Sequence, residues 1–203
     1  MRSKPLIAIL MSFSLAACAG GGGEFGGYSL VQPKARAVAN GKMTVTPPRP
    51  WNRVPRSYYD IAEEENWTLN GPILDSIGFI AALKDGKAIV RQRRKEDRQV
   101  PVFRSNMTPP EIVSMIESLY RIRGGAAEFA MTGLKPATFL GRQGYQLDYD
   151  YLDQNEIKRR GRSYGAVIHG RLYLMLLDAT RMHYFEHALP DFETMARGAV
   201  LRS

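Results

Sequence analysis

Tyr164-Gly165-Ala166-Val167-Ile168-His169-Gly170-Arg171-Leu172-Tyr173-Leu174-Met175-Leu176-Leu177 is a pair of apolar runs set about His169-Gly170. Runs with almost no polar face are expected of strands covered on both sides, where every alternate side chain must meet an apolar layer. Gly170 tolerates the backbone angles of a turn and His169 belongs to that turn, so the runs read as a hairpin of central strands.

Working outward, Tyr145-Gln146-Leu147-Asp148-Tyr149-Asp150-Tyr151 alternates aromatic or aliphatic with amide or acidic groups, the mark of a strand with one wet face. Its rings either pack under a helix or line an apolar ligand pocket with their hydroxyls as polar handles. Ala127 to Thr132 and Thr138 to Gly141 read as two more strands. On the other side, Phe192, Met195, Ala196, Ala199 and Val200 recur at helical spacing behind Pro190, which suits the first turn of a terminal helix.

Further upstream, Thr108-Pro109-Pro110-Glu111 announces a helix. Thr108 can cap it, Pro109 fits the first position and Glu111 reaches back from the third. Ile112, Val113, Ile116, Leu119 and Tyr120 form its apolar stripe, and Gly124-Gly125 stops it. Before it, Ser76 to Leu83 and Lys87 to Val90 read as a hairpin through Lys84-Asp85-Gly86, followed by a strand at Gln99 to Arg104. Met43 to Thr46 and Trp67 to Leu69 read as short strands around a loop. The total is a single α+β domain over residues 42–203, with a mostly antiparallel sheet of about seven strands and helices packed on it.

The first residues, Met1-Arg2-Ser3-Lys4-Pro5, place two positive charges ahead of an apolar stretch from Leu6 to Ala17. At 12 residues it is shorter than the roughly 20 needed to span a bilayer, so residues 1–17 read as a signal peptide. Leu15-Ala16-Ala17-Cys18 resembles the lipobox of bacterial lipoproteins. The resemblance implies cleavage before Cys18 and a diacylglycerol and acyl lipid on that cysteine, enough chains for stable anchoring. Cys18 is the only cysteine, so an exported chain could not pair it internally. Ala19, in place of the aspartate that favours inner-membrane retention in such lipoproteins, implies the inner leaflet of the outer membrane, facing the periplasm. Residues 18–41 open on Gly20 to Gly23 with no sustained period and read as a flexible tether.

The chain carries 28 Lys and Arg against 20 Asp and Glu; the signal peptide holds two of the cations. Arg91, Arg93, Arg94 and Lys95 form one basic run, and Lys158, Arg159, Arg160 and Arg162 another. Both fall at expected strand ends or hairpin tips. They either keep sheet edges soluble and unpaired or dock the domain on an anionic envelope surface. An exported location argues against nucleic acid as the partner and for an envelope protein or an acidic envelope component.

His183-Tyr184-Phe185-Glu186-His187 fits the H-x-x-E-H pattern of zinc peptidases, with His183 and His187 as ligands and Glu186 as the base. A third ligand is hard to find, because few residues remain after His187 and Pro190 interrupts any helix there. Serine nucleophile elbows, phosphate-binding glycine loops and paired cysteines are absent from the sequence, so neither a catalytic residue nor a non-lipid cofactor is expected.

The strand at 145–151, the basic hairpin, the turn at Gly170, Tyr184-Phe185, and Pro190-Asp191-Phe192-Glu193 before a terminal helix are together similar to the PsbP-like (Mog-type) family over roughly Gly125 to Leu201. That resemblance implies an α/β/α sandwich on an antiparallel sheet and a non-catalytic accessory or partner-binding role. A carrier or sensor of a small apolar envelope ligand is the alternative.

Overall fold

The computed structural model describes residues 27–92 and 100–202. The signal peptide, Cys18 and, within the first basic run, Arg93, Arg94 and Lys95 lie outside that range. The elements are β1 (Ser29–Val31), β2 (Arg36–Val38), β3 (Met43–Val45), β4 (Trp51–Arg53), β5 (Glu64–Thr68), β6 (Asp75–Leu83), α1 (Pro109–Gly124), β7 (Glu128–Phe139), β8 (Arg142–Leu152), β9 (Lys158–Ile168), β10 (Arg171–Thr180), α2 (Tyr184–Gly198) and β11 (Val200–Leu201). One sheet has eight antiparallel strands in the order β1-β4-β5-β6-β10-β9-β8-β7, and a small second sheet runs β11-β3-β2.

The apolar hairpin is β9 and β10, at the centre as its composition demands. His169 and Gly170 have φ of 50° and 69°, the pair of positive angles that a tight hairpin turn uses. Leu172, Leu174 and Leu176 enter the core under α1, while Tyr173, Met175, Leu177 and Ala179 enter the core under α2 and the small sheet. The two-sided burial makes a sandwich, with about 1.5–3 kcal/mol available from each large side chain removed from water.

Small residues in β9 make room for large ones in β8. A Cβ on Gly161 would lie 2.1 Å from the Tyr149 ring, and one on Gly165 would lie 2.3 Å from the Tyr145 hydroxyl. The tyrosines of the alternating strand therefore lie across the glycines of their neighbour, beneath α1. That helix begins as its sequence specifies: the Thr108 backbone N–H donates to Glu111 Oε2 at 2.6 Å. Gly125 ends it at φ 61°.

Several expectations need correction. Residues 84–90 do not return as a strand beside β6; β6 pairs with β5 and β10, and of the strand expected at Gln99 to Arg104 the described residues, Val100 to Arg104, pair with Lys87–Val90 through the isolated bridge Ala88↔Val102. The Asp-Gly signal makes a turn, with Gly86 at φ 76°, but the chain then leaves the sheet and puts Ile89, Val90 and Phe103 over one end of it. The two strands expected between Ala127 and Gly141 are the single strand β7, irregular between Met131 and Gly133. It is an edge strand, which is why Pro136 is tolerated in it. The tether reading of residues 18–41 is too long, since Ser29–Val31 and Arg36–Val38 are paired strands.

The last helix starts at Tyr184, not near Pro190, which sits inside it. Phe185 and Ala188 continue the stripe of Phe192, Met195 and Ala196 upstream, and their burial outweighs the backbone hydrogen bond that proline removes.

Candidate functional site

The face of the sheet under α1 is only partly covered. Helix α1 lies toward β8, and the segment carrying Ile89 and Phe103 covers the Leu83 end. Between them β6 presents Ser76 and Gly78, whose lack of bulk leaves a cleft of about 350 Å³. Ile80, Leu176 and Leu119 give it an apolar base, and Val54, Tyr58, Pro72 and Ile73 form one wall. Tyr58 and Ile73 are 63% and 73% exposed, unusual for large apolar residues.

Two arginines brace the other walls. Arg123, near the end of α1, meets Glu64 at 2.6 Å and Asp60 at 3.0 Å. Burial works against the Arg123 guanidinium charge, but the attraction of Glu64 and then Asp60 outweighs it, so its pKa stays above the ordinary value. Arg159, on β9, has a side chain only 5% exposed; Nε and Nη2 each donate to Asp178 at 3.0 Å, and Nη1 donates to the Ile73 carbonyl at 2.6 Å. Asp153 Oδ2 lies 4.0 Å from it. Burial again opposes the charge and Asp178 again outweighs it, giving a raised pKa.

Behind Arg159 the tyrosines form a network: Tyr151 Oη donates to Asp178 at 2.9 Å, and the Tyr120 and Tyr149 hydroxyls are 2.6 Å apart. Burial holds all three phenols well above the usual tyrosine range. These rings pack under the helix, and Tyr120 and Tyr151 also reach the cleft wall.

The second basic run does not stand out as free charge. Arg160 pairs with Asp150 at 2.8 Å, and Arg162 pairs with Asp148 at 2.5 Å and with Glu193 of α2 at 2.9 Å. Together with Arg159, three of the four cations expected at an anionic surface are committed to carboxylates across the sheet. Lys158 is exposed. In the first run Arg91 is exposed, with Nη2 3.4 Å from the Asp60 carbonyl.

His183 and His187 stack with ring centroids 5.8 Å apart at the start of α2. Arg49 Nη1 is 3.1 Å from His187 Nε2, so a cation occupies the position a metal would need, and Glu186 turns toward Arg160 at 3.9 Å. Among the described residues no group of three or more His, Cys, Asp or Glu is placed to hold a metal ion.

Sequence reasoning missed Arg123, Glu64, Asp153 and Asp178. One signal was present for Arg123: it continues the stripe of Ile112, Ile116, Leu119 and Tyr120 at a spacing that points into the domain. A charge there requires a buried partner.

No family model matches the chain, and no curated protein does. Among solved structures, the chain is similar to cyanobacterial PsbP (CyanoP) from Synechocystis sp. PCC 6803, with a TM-score of 0.53 and 13% identity over 93% of this chain and 99% of that one. More distant similarities are to a protein of unknown function from Pseudomonas aeruginosa (TM-score 0.43, 11% identity, 80% of this chain and 92% of that one) and to LpqN of Mycobacterium tuberculosis, involved in cell envelope biogenesis (0.35, 11%, 90% and 88%). The first of these establishes the architecture: the chain has a PsbP-like fold.

Proposed function

We propose that this chain is a lipid-anchored envelope protein, held through Cys18 in the outer membrane and facing the periplasm, that acts as a non-catalytic accessory or partner-binding module. The observation that carries the binding role is the state of the cleft: all five charged side chains that line it, Glu64, Arg123, Asp153, Arg159 and Asp178, are in ion pairs. Their charges brace a shaped surface, and none is left poised for proton transfer. The anchor rests on Leu15-Ala16-Ala17-Cys18. Eight residues, Ala19 to Gly26, separate the cysteine from the first described residue, Gly27. Even fully extended, eight residues reach no more than about 29 Å, so the proposed anchor would keep the domain close to the bilayer surface.

The test has two arms. Growth with an alkyne-bearing fatty acid is expected to label the full-length protein in the membrane fraction, and Cys18→Ala is expected to abolish label and anchoring together. A photo-crosslinking residue at Tyr58 or Ile73 is expected to capture a specific envelope protein that the same residue at Lys135, on the far edge strand, does not. An unlabelled protein sinks the anchor; identical crosslinks from both positions sink the cleft as the binding surface.

A further inference from the structure

Between Gly27 and Tyr59 the chain holds six cations, Lys34, Arg36, Lys42, Arg49, Arg53 and Arg56, and no Asp or Glu. Two of the six are neutralised from elsewhere in the fold: Arg49 pairs with Asp191 and Arg53 with Glu65. Among the described residues, Lys34, Arg36 and Lys42 meet no carboxylate, and Arg56 donates to the Asn40 side-chain oxygen at 3.3 Å. This segment is therefore the reverse of β9, whose arginines are committed to acidic partners.

Three of these cations gather at one edge of the large sheet. Ser29 pairs with Arg53, so the chain enters β1 at the end of β4 that leads on to Arg56. It leaves β1 through a turn carrying Lys34, whose N–H donates to the Gln32 carbonyl at 2.8 Å, and returns along β2 to Asn40, against Arg56. Lys34 and Arg56 are exposed and Arg36 is half-buried. Tyr28 and Leu30 stand at the same edge, 50% and 58% exposed. Val31 and its partner Trp51 point into the core under α2, so Leu30 and its partner Asn52 point to the opposite face.

An exposed tyrosine and leucine flanked by uncommitted cations suit the surface of a bilayer. The apolar side chains can enter the headgroup boundary while the cations meet phosphate groups. An acidic protein could use the cations, but the place of this edge in the chain favours the membrane: Gly27 follows Cys18 by only eight intervening residues.

We propose that the β1 edge, through Tyr28, Leu30, Lys34, Arg36 and Arg56, docks on a bilayer surface containing anionic phospholipid. The inference goes beyond partner binding and rests on the anchor proposed above for bringing this edge to the membrane. It leaves the cleft, whose floor is on β6, to a protein partner.

The test uses the mature chain, residues 18–203, carrying Cys18→Ser, so no acyl chain contributes and failure of the anchor cannot be mistaken for failure of the surface. Binding is measured by co-sedimentation with vesicles of phosphatidylglycerol and phosphatidylethanolamine in equal parts, and with vesicles of phosphatidylcholine alone. The anionic vesicles are expected to bind at least about tenfold tighter at low salt, with the difference shrinking as salt rises. Lys34→Glu together with Arg56→Glu is expected to weaken that binding about tenfold or more, and Leu30→Ser several-fold, with the melting temperature little changed because these side chains are exposed. Lys135→Glu together with Arg142→Glu, an equal reversal at the opposite edge, is expected to change it by less than about twofold. Cys18 is the only cysteine, so Leu30→Cys in this chain gives a single site for an environment-sensitive dye. Its emission is expected to shift to the blue on anionic vesicles, and that of the same dye at Lys135→Cys is not. Equal binding to the neutral vesicles or equal loss from the far-edge reversal overturns the proposal. So does an absence of binding to the anionic vesicles, which would give the cations to an acidic protein and leave the anchor to its own labelling test.

Discussion

The two faces of the eight-stranded sheet are built from the same strands and closed in different ways. On one, α2 and the small sheet press Phe192, Met195, Met43 and Val45 against Trp51, Trp67 and Phe79, and the Arg160 and Arg162 ion pairs tie β8 and β9 together, with Glu193 joining α2. On the other, α1 and an irregular segment cover parts of the sheet and leave Ser76 and Gly78 facing an open cleft. The difference shows how a fold separates stability from recognition. One face supplies continuous apolar contact, while the other spends its polar groups on holding apart walls that a continuous core would have drawn together.

The comparison breaks first if the closed face is not the more costly to damage. Phe192→Ala removes a fully buried ring from it and is expected to cost about 3–5 kcal/mol in urea unfolding. Next comes the brace of the open face. Arg123→Met removes one cation shared by Glu64 and Asp60; with the Arg123 side chain 29% exposed, the expected loss is about 2–3 kcal/mol, short of the roughly 3–5 for a fully buried pair.

The alkaline limb sharpens the reading of the tyrosine network. Burial raises the pKa of Tyr120, Tyr149 and Tyr151, so the folded state keeps protons that the unfolded state releases above about pH 10. The stability they contribute is fully present below that pH and is lost as pH rises, at about 1.4 kcal/mol per pH unit for each tyrosine that stays protonated. Absorbance of tyrosinate should therefore rise together with unfolding, not before it. The smallest effect is expected at the cleft mouth: Ile73→Ser should change stability by no more than about 0.5 kcal/mol, because its side chain is already in water.

Much of the closed core could be read from residue order. The β9–β10 hairpin, the β8 alternation and the Thr108–Glu111 cap are local patterns, and the chain realises each locally. The failures share a different origin. Lys84-Asp85-Gly86 is a sound turn, but the path of the chain beyond Gly86 is settled by packing over Leu83. Ser29–Val31 and Arg36–Val38 are too short to show a period and gain their strand character from β4 and β3. The arginines of β9 looked free because their carboxylates are 10 to 31 residues away along the chain, and only the strand register brings them within reach. The cleft was invisible for the same reason: α1 and five strands, with the loops between them, each contribute a few residues, and its shape is set by the space that Ser76 and Gly78 do not fill.

The position of β1 has a mechanical consequence. Any pull transmitted through the residues before Gly27 reaches the domain at an edge strand joined to the sheet by three residue pairs, Ser29↔Arg53, Leu30↔Asn52 and Val31↔Trp51. Tension would strip these in sequence, giving up the burial of Val31 last, and would release residues 29–35 as about 23–25 Å of extra reach before the load arrives at β2 and the small sheet. With the anchor proposed above, the edge strand would serve as a fuse, yielding length to a moving attachment point while the other strands of the sheet and the walls of the cleft stay in place.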